Sequence, residues 1–209
     1  NTAAKGGSAY IEGNNTYVTQ EEDGDFTCTV FNKSLPYSYI TTPKEKINEE
    51  YINKTFCFSC YVKIEDIIQL ETDAAMLALQ LRLYEDFSDT TRAAYKLIGE
   101  LSSRGTSYPK FICDEDLVKD KWIKIYQTFT WGNFSDNSGK QPNDFDITGS
   151  FCKYFSLSFY SGSNSPMSII KIKKPKLEIG NVPTEWSASP YDITYENISG
   201  TNLILENNG

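Results

Sequence analysis

The sequence predicts an all-β chain folded as a two-sheet antiparallel β-sandwich of the jelly-roll kind. Apolar and polar residues alternate in runs of strand length, and loops rich in Gly, Ser, Asn and Asp separate these runs. No helical segments alternate with the strands, as a parallel sheet would require. Because no internal repeat crosses the middle of the chain, one jelly roll accounts for it better than two immunoglobulin-type domains of about 100 residues each.

Three runs alternate strictly, each with one apolar face, and four further segments are strand candidates. The clearest covers residues 77–84, where leucines at every second position alternate with Ala78, Gln80, Arg82 and Tyr84. Leucine and alanine are good helix formers, but the strict period of two favours a strand. In chain order, the predicted strands are residues 25–32, 55–62, 77–84, 94–101, 122–131, 155–160 and 169–177.

Composition excludes several classes of function. The 209 residues include 20 Lys and Arg, 28 Asp and Glu and no histidine, which gives a net charge of −8. Without imidazole there is no Ser-His-Asp or Cys-His nucleophile and no histidine-ligated zinc. An acidic chain is a poor partner for nucleic acid, whose binding rests on Lys and Arg. No apolar stretch is long enough to cross a bilayer, so we expect no membrane insertion.

The five cysteines are an odd number in a chain of this size, unlike the framework of a small disulfide-rich domain. Cys57 and Cys60 form a C-x-x-C pattern inside a predicted strand. Residues three apart on a strand point to opposite faces, so the two sulfur atoms diverge. We therefore interpret the cysteines as small buried hydrophobic residues and not as a metal or redox site.

The C-terminal third carries the most specific pattern. Pro175-Lys-Leu-Glu-Ile-Gly180 is followed by Thr184-Glu-Trp186 and then by Pro190-Tyr-Asp192. This pattern resembles the closing strand and tail of domains that recur in tail, baseplate and fibre proteins of phages and prophages of Gram-positive bacteria. Upstream, residues 54–63 are similar to the early core strand of that family, and residues 121–130 to its Trp-led strand that ends in Thr-Phe-Thr.

The resemblance implies a single domain over residues 1–192 that looks like a jelly-roll carbohydrate-binding module. Residues 193–209 are then a linker or the first strand of a following module, because Gly200-Thr-Asn-Leu203 is similar to the way such domains begin. The alternatives are a ragged polar terminus and a tail that covers an exposed sheet edge.

We therefore expect a non-catalytic, carbohydrate-binding-like module of a phage or prophage tail structural protein, located in the virion and assembled in the cytoplasm of the bacterial host. Its partners would be other tail proteins, neighbouring modules of the same chain and a host-surface carbohydrate used in attachment. The alternative is a module of a glycan-degrading enzyme or adhesin that is secreted or displayed on a bacterial surface. The third hypothesis is a glycosidase with two catalytic carboxylates. It ranks below the other two because the sequence identifies no pair of carboxylates at the separation that such an enzyme needs.

Candidate carbohydrate contacts lie on the strand faces opposite the predicted core. Gln80, Arg82 and Tyr84 share the face opposite the leucines, and Tyr126 and Tyr160 lie on the polar faces of their own strands. If these strands are neighbours in one sheet, the side chains form one platform. Aromatic rings stack on sugars while Arg and Gln supply hydrogen bonds, which suits a shallow glycan site. The alternative is that these tyrosines occur because Tyr favours strands.

The three tryptophans lead to separate expectations. Trp131 shares the inward face of Phe129 by alternation, yet the polar loop that begins at Gly132 would free it. Its roles as core residue and as carbohydrate contact therefore both remain open. We expect Trp122 to be a packing residue and Trp186 to cap the open end of the core.

Acidic clusters raise the question of calcium. Residues 21–25, 114–116 and 144–146 each bring carboxylates close together. Oxygen ligands of this kind suit calcium, although none of these segments matches the EF-hand loop. We expect no obligatory cofactor and keep a structural calcium as the alternative to solvated acidic loops.

Overall fold

The computed structural model describes residues 16–20, 26–31, 38–67, 75–102, 108–132, 152–161 and 168–187. The helical element within these ranges is a 3-10 turn at Glu49–Tyr51. In chain order, the strands are β1 (Thr16–Gln20), β2 (Phe26–Phe31), β3 (Ser38–Thr41), β4 (Glu45–Lys46), β5 (Thr55–Ile67), β6 (Ala75–Tyr84), β7 (Ala94–Ser102), β8 (Ile112–Cys113), β9 (Ile123–Thr130), β10 (Tyr154–Ser161) and β11 (Ser168–Ile179).

The strands form two sheets packed face to face. The six-stranded sheet has the order β1-β2-β11-β5-β9-β8, and the five-stranded sheet has the order β3-β10-β6-β7, with β4 also paired to β10. Each pairing between these strands is antiparallel. The pairs β2–β11, β3–β10 and β5–β9 join early strands to late ones around the consecutive pair β6–β7, which is how a jelly roll wraps. The predicted fold class is therefore confirmed.

The core lies between the sheets because alternate side chains of each strand point inward. The leucines at 77, 79, 81 and 83 are each 0% exposed, so the strand prediction for this run is confirmed. Fully burying one such side chain contributes about 1.5–3 kcal/mol. Both sheets contribute to one buried cluster, which includes Phe56, Phe58, Val62, Leu77, Leu79, Leu81, Leu83, Ile98, Ile125, Phe129, Phe159, Ile170 and Ile172.

The C-x-x-C pair lies in β5 with its two thiols on opposite faces. Cys60 belongs to the core cluster and lies opposite Ile125, whereas Cys57 lies opposite Thr128. Both are buried, free thiols. Burial raises the pKa of the Cys60 thiol far above its usual range, so this thiol stays protonated and unreactive. The interpretation of this pair as small buried hydrophobic residues is confirmed.

The domain boundaries stay a prediction. The tail at residues 193–209 lies outside the described residues, as do the first fifteen residues of the domain expected over 1–192. In the part of the chain that the structure describes, no helix has the length and apolar character that crossing a bilayer demands.

Candidate functional site

The outer face of the five-stranded sheet carries the larger part of the predicted platform. Strand register places Gln80, Arg82 and Tyr84 opposite alternate residues of β10, on the side away from the core. Tyr160 also lies on β10, opposite Ala78. The side chain of Tyr160 is outside the described part of the structure, so its contact with carbohydrate stays a prediction.

Tyr126 lies on the other sheet. It belongs to β9 and pairs with Ser59 of β5 in the six-stranded sheet. The prediction that Tyr126 shares a platform with Tyr84 is therefore wrong. The reason is the jelly-roll winding, which pairs β9 with β5 and leaves β6 to pair with β10 and β7.

Trp131 is a core residue. Its side chain is 0% exposed, and its ring centroid lies 5.1 Å from that of Phe155 and 5.4 Å from that of Phe56. Its backbone N–H donates to the carbonyl of Lys54 at 2.9 Å, which holds the residue against the start of β5. The inclusion of Trp131 among the carbohydrate contacts is wrong, because the loop that begins at Gly132 does not expose this ring.

Polar side chains form a buried strip along the outer face of β6 and β10. Gln80 is 7% exposed and accepts a hydrogen bond at its Oε1 from Nε of the half-buried Arg82, at 3.4 Å. Ser156 and Ser158 of β10 are 0% exposed. These side chains point away from the core and are nevertheless buried, so this part of the outer face is covered.

A cleft of about 300 Å³ opens at one end of this strip. It lies between the segment that joins β3 to β4, the end of β6 and the loop that joins β6 to β7. Its volume is at the lower end of the range for small-ligand sites. Hydroxyl groups dominate its lining, with one ammonium and one carboxylate group among them: Thr41, Thr42, Pro43, Lys44, Tyr84, Ser88, Asp89, Thr90 and Ser156.

The floor of the cleft is a hydrogen-bonded set of hydroxyl groups. The Tyr84 hydroxyl and Ser156 Oγ lie 3.2 Å apart, and Thr41 Oγ1 donates to Ser158 Oγ at 3.0 Å. Tyr84 is 5% exposed, so it contributes mainly to this floor. These bonds hold the polar groups in place before any ligand arrives, which lowers the entropic cost of binding.

One wall of the cleft depends on Lys44. The Lys44 ammonium donates to the carbonyl oxygen of Phe87 at 2.7 Å and to that of Asp89. It also lies 4.5 Å from the ring centroid of Tyr84, a cation–π distance. A side chain from the β3–β4 connection thereby bonds to the β6–β7 loop.

Two aromatic residues neighbour the cleft: Phe87 precedes the lining residue Ser88, and Tyr154 pairs with the lining residue Tyr84. Phe87 is 60% exposed, and its ring centroid lies 5.6 Å from that of Tyr154 at an interplanar angle of 71°. We call these two residues the aromatic rim. Sequence reasoning missed Phe87 and Lys44 because both lie in loops, where alternation carries no information. An available signal was a phenylalanine between Asp86 and Ser88, a large apolar residue in a polar loop.

The β6–β7 loop has a defined turn. Asp89 Oδ2 accepts from the Asp86 N–H at 2.8 Å, and Asp86 Oδ1 accepts from the Ser88 N–H at 3.3 Å. The Ser88 backbone hydrogen bond holds the pKa of the Asp86 carboxyl below its usual value. Asp86 therefore stays ionised at neutral pH beside the rim.

The outer face of the six-stranded sheet is a ladder of charged side chains. Glu65 pairs with Lys63 at 3.3 Å and with Lys171 at 3.1 Å. The half-buried ring of Trp122 has the ammonium groups of Lys63 and Lys173 over it, at 5.1 Å and 4.6 Å. Trp122 is thus a packing residue, as expected, but it packs under lysines on the outer face.

The closing pattern of the sequence forms a hydrogen-bonded turn. Glu178 accepts from the Thr184 N–H at 2.8 Å and from the Thr184 hydroxyl at 2.6 Å, and it pairs with Lys176 at 3.1 Å. Gly180 has a φ of 147°, which favours glycine. Trp186 is half-buried beside Lys174 and lies outside the core cluster. The prediction that Trp186 caps the core is therefore wrong.

The calcium alternative stays a prediction. The described residues contain no group of three or more Cys, Asp or Glu side chains arranged to hold a metal ion. Residues 114–116 are exposed, and residues 21–25 and 144–146 lie outside the described ranges.

Comparisons with known proteins add distant structural likenesses. No family model matches the chain, and no curated protein matches it. The chain is similar to the CBM22-1 and GH10 modules of a Clostridium thermocellum endo-1,4-beta-D-xylanase 10B complexed with xylohexaose, with a TM-score of 0.42 and 15% identity, over 86% of this chain and 27% of that one.

The chain is also similar to CBM27-1 of Caldicellulosiruptor saccharolyticus in complex with mannohexaose, with a TM-score of 0.35 and 9% identity, over 82% of this chain and 88% of that one. An exo-beta-agarase aligns at a TM-score of 0.40 and 10% identity, over 92% of this chain and 28% of that one. The chain thus spans just over a quarter of the xylanase and agarase structures. Likenesses this distant carry no argument about function, and the jelly-roll assignment rests on the strand pairing described above.

Proposed function

We propose that this chain is a non-catalytic carbohydrate-binding module and that the cleft on the five-stranded sheet is its binding site. The observation that carries the proposal is the aromatic rim beside a hydroxyl-lined cleft, because Phe87 is 60% exposed and directly precedes the lining residue Ser88. Ligand sites combine aromatic or apolar contacts with a few placed polar groups, and this region offers both.

The chemistry of the cleft suits a polyhydroxylated ligand. Sugar rings present apolar C–H faces and a periphery of hydroxyl groups, so they need both stacking surfaces and polar partners. The rim of Phe87 and Tyr154 supplies the first, and the cleft around Asp89 and Thr90 supplies the second. Its small volume favours one or two sugar units over a long buried chain.

We propose further that the module belongs to a phage or prophage tail protein, acts in tail architecture and contributes to attachment to host-surface carbohydrate. The support is the resemblance of the closing pattern from Pro175 to Asp192. Its partners would then be other tail proteins or adjoining modules, and its location the virion. The alternative, a module of a secreted glycan-degrading enzyme or adhesin, uses the same cleft.

A glycan-array screen tests the binding proposal. Wild type, Phe87→Ala and Tyr126→Ala are compared on bacterial cell-wall, plant and host glycans, with calcium and with chelator. Tyr126 is a matched control because it is a half-buried aromatic residue on the opposite sheet. We expect selective binding that weakens about tenfold or more in Phe87→Ala and is kept in Tyr126→Ala. Release of reducing ends from the bound glycan would contradict the non-catalytic assignment.

Two outcomes would contradict the assignment of the cleft. Binding by wild type that is equally strong in Phe87→Ala would place the site elsewhere, and no binding to any glycan would leave a structural spacer. Mass spectrometry of purified virions and of culture supernatant from which particles have been removed separates the two contexts. A tail module should be found in the particles, whereas an enzyme module should be found in the supernatant.

A further inference from the structure

We infer that Lys44 is a positioning residue, whose ammonium group holds the β6–β7 loop and its aromatic rim in the geometry of the cleft. This inference deepens the proposed function and rests on it for the role of the rim in binding. The positioning itself concerns the protein alone.

The ammonium group joins two segments that are far apart in the chain. Lys44 lies 43 residues from Phe87 and 45 residues from Asp89, whose carbonyl oxygens accept its hydrogen bonds. The same nitrogen lies 4.5 Å from the ring centroid of Tyr84 and 5.8 Å from that of Phe87. One cation therefore contacts the loop backbone, the rim and the floor of the cleft together.

The charge of Lys44 adds to the strength of this contact. Hydrogen bonds from a charged donor are roughly twice as strong as neutral ones, and the negative faces of aromatic rings add further attraction. The bonds of Asp86 and Asp89 lie within the loop and shape its turn. The Lys44 bonds instead join the loop to the β3–β4 connection, so they set its position over the sheet.

Hydrogen exchange of the loop amides tests the inference without a glycan. Wild type, Lys44→Met, Lys44→Arg and Lys46→Met are compared over residues 85–93. Lys46 is a matched control, because it is an exposed lysine two residues further on. We expect exchange about tenfold faster in Lys44→Met, partial recovery in Lys44→Arg and no change in Lys46→Met. A further variant, Lys44→Ala, tests the charge itself. Added methylammonium should slow the loop exchange of this variant again, and a loss of packing alone would not explain such a rescue.

The outcomes separate this inference from the proposed function. Unchanged loop exchange in Lys44→Met, or an equal acceleration over the whole chain, would overturn the positioning role. If wild type binds a glycan, Lys44→Met should weaken that binding about tenfold, and unchanged affinity together with a faster loop would overturn the role of the rim. If wild type binds no glycan, the proposed function fails while loop exchange alone decides the positioning role.

Discussion

The two outer faces of the sandwich come from the same strand alternation but have opposite character. On the six-stranded sheet, long charged side chains pair with one another, as Glu65 does with Lys63 and Lys171. On the five-stranded sheet, short hydroxyl side chains such as Ser156 form a buried strip, and a cleft opens at one end of it. The difference teaches that strand alternation alone does not decide whether an outer face is filled by paired charges or carries an open cleft.

The aromatic residues of the two faces differ in the same way. Trp122 lies under two lysine ammonium groups and is half-buried among them. Phe87 instead is 60% exposed beside the cleft. An aromatic residue on an outer face is therefore a candidate ligand contact only where the protein does not cover its ring.

The largest effect should come from the core that both faces share. Trp131→Ala is expected to lower the free energy of unfolding by about 3–5 kcal/mol, because it removes a fully buried indole among aromatic neighbours. Urea unfolding followed by fluorescence and circular dichroism measures the loss. A loss below about 1 kcal/mol would show that the ring is not a core anchor.

The next largest effect should come from an ion pair at the far end of the cleft face. Glu100 is 1% exposed, and its Oε1 accepts from Lys110 at 2.8 Å and from Ser102 at 2.5 Å. Glu100→Gln removes the charge that Lys110 faces. Since the Lys110 side chain is 36% exposed and can regain water, we expect a loss of about 2–3 kcal/mol, at or below the value for fully buried pairs.

Guanidinium unfolding of Glu100→Gln, Lys110→Met and the double variant measures this pair. A coupling energy near zero in the double-mutant cycle would show that the two residues do not stabilise each other.

The filled face should respond to acid through the closing turn. Burial acts to raise the pKa of Glu178, but the hydrogen bonds from Thr184 and the Lys176 ammonium outweigh it and hold that pKa below its usual value of 4.5. The contribution of a lowered carboxyl pKa is complete above the unfolded value and is lost as the pH falls through the folded value. The stabilisation should therefore be present at neutral pH and disappear below pH 4.5.

Glu178→Gln is expected to cost about 1 kcal/mol at neutral pH and to match wild type in acid. Urea unfolding over a pH series measures the gap, and Glu185→Gln, an exposed glutamate in the same turn, serves as the control. A gap that persists unchanged into acid would contradict the role of the Glu178 charge.

The smallest effect on stability should come from the open face. Phe87→Ala is expected to change the free energy of unfolding by less than about 0.5 kcal/mol, because the ring is 60% exposed. Thermal unfolding measures it beside the binding assay. A large loss of stability would mean that Phe87 is part of the packing, and the open face would then resemble the filled one.

Sequence reasoning correctly predicted the longer strands and part of the site. The alternation of residues 77–84 placed Gln80, Arg82 and Tyr84 on one face, and the structure brings Tyr84 to the floor of the cleft. Sequence reasoning did not identify the sheet that holds Tyr126, and it did not decide whether Trp131 is buried. Both depend on which distant strands pair, and alternation within one strand does not encode its partner.

The sequence by itself determined the all-β class, the inward faces of the strands and the exclusion of histidine chemistry, because these follow from local periodicity and composition. Only the tertiary structure decided where the cleft lies and which aromatic residue is exposed at it. The cleft requires Lys44, Tyr84 and Phe87 to meet, and they belong to a loop, a strand end and a second loop. These contacts join residues that are far apart in the chain, and the winding of the jelly roll produces them.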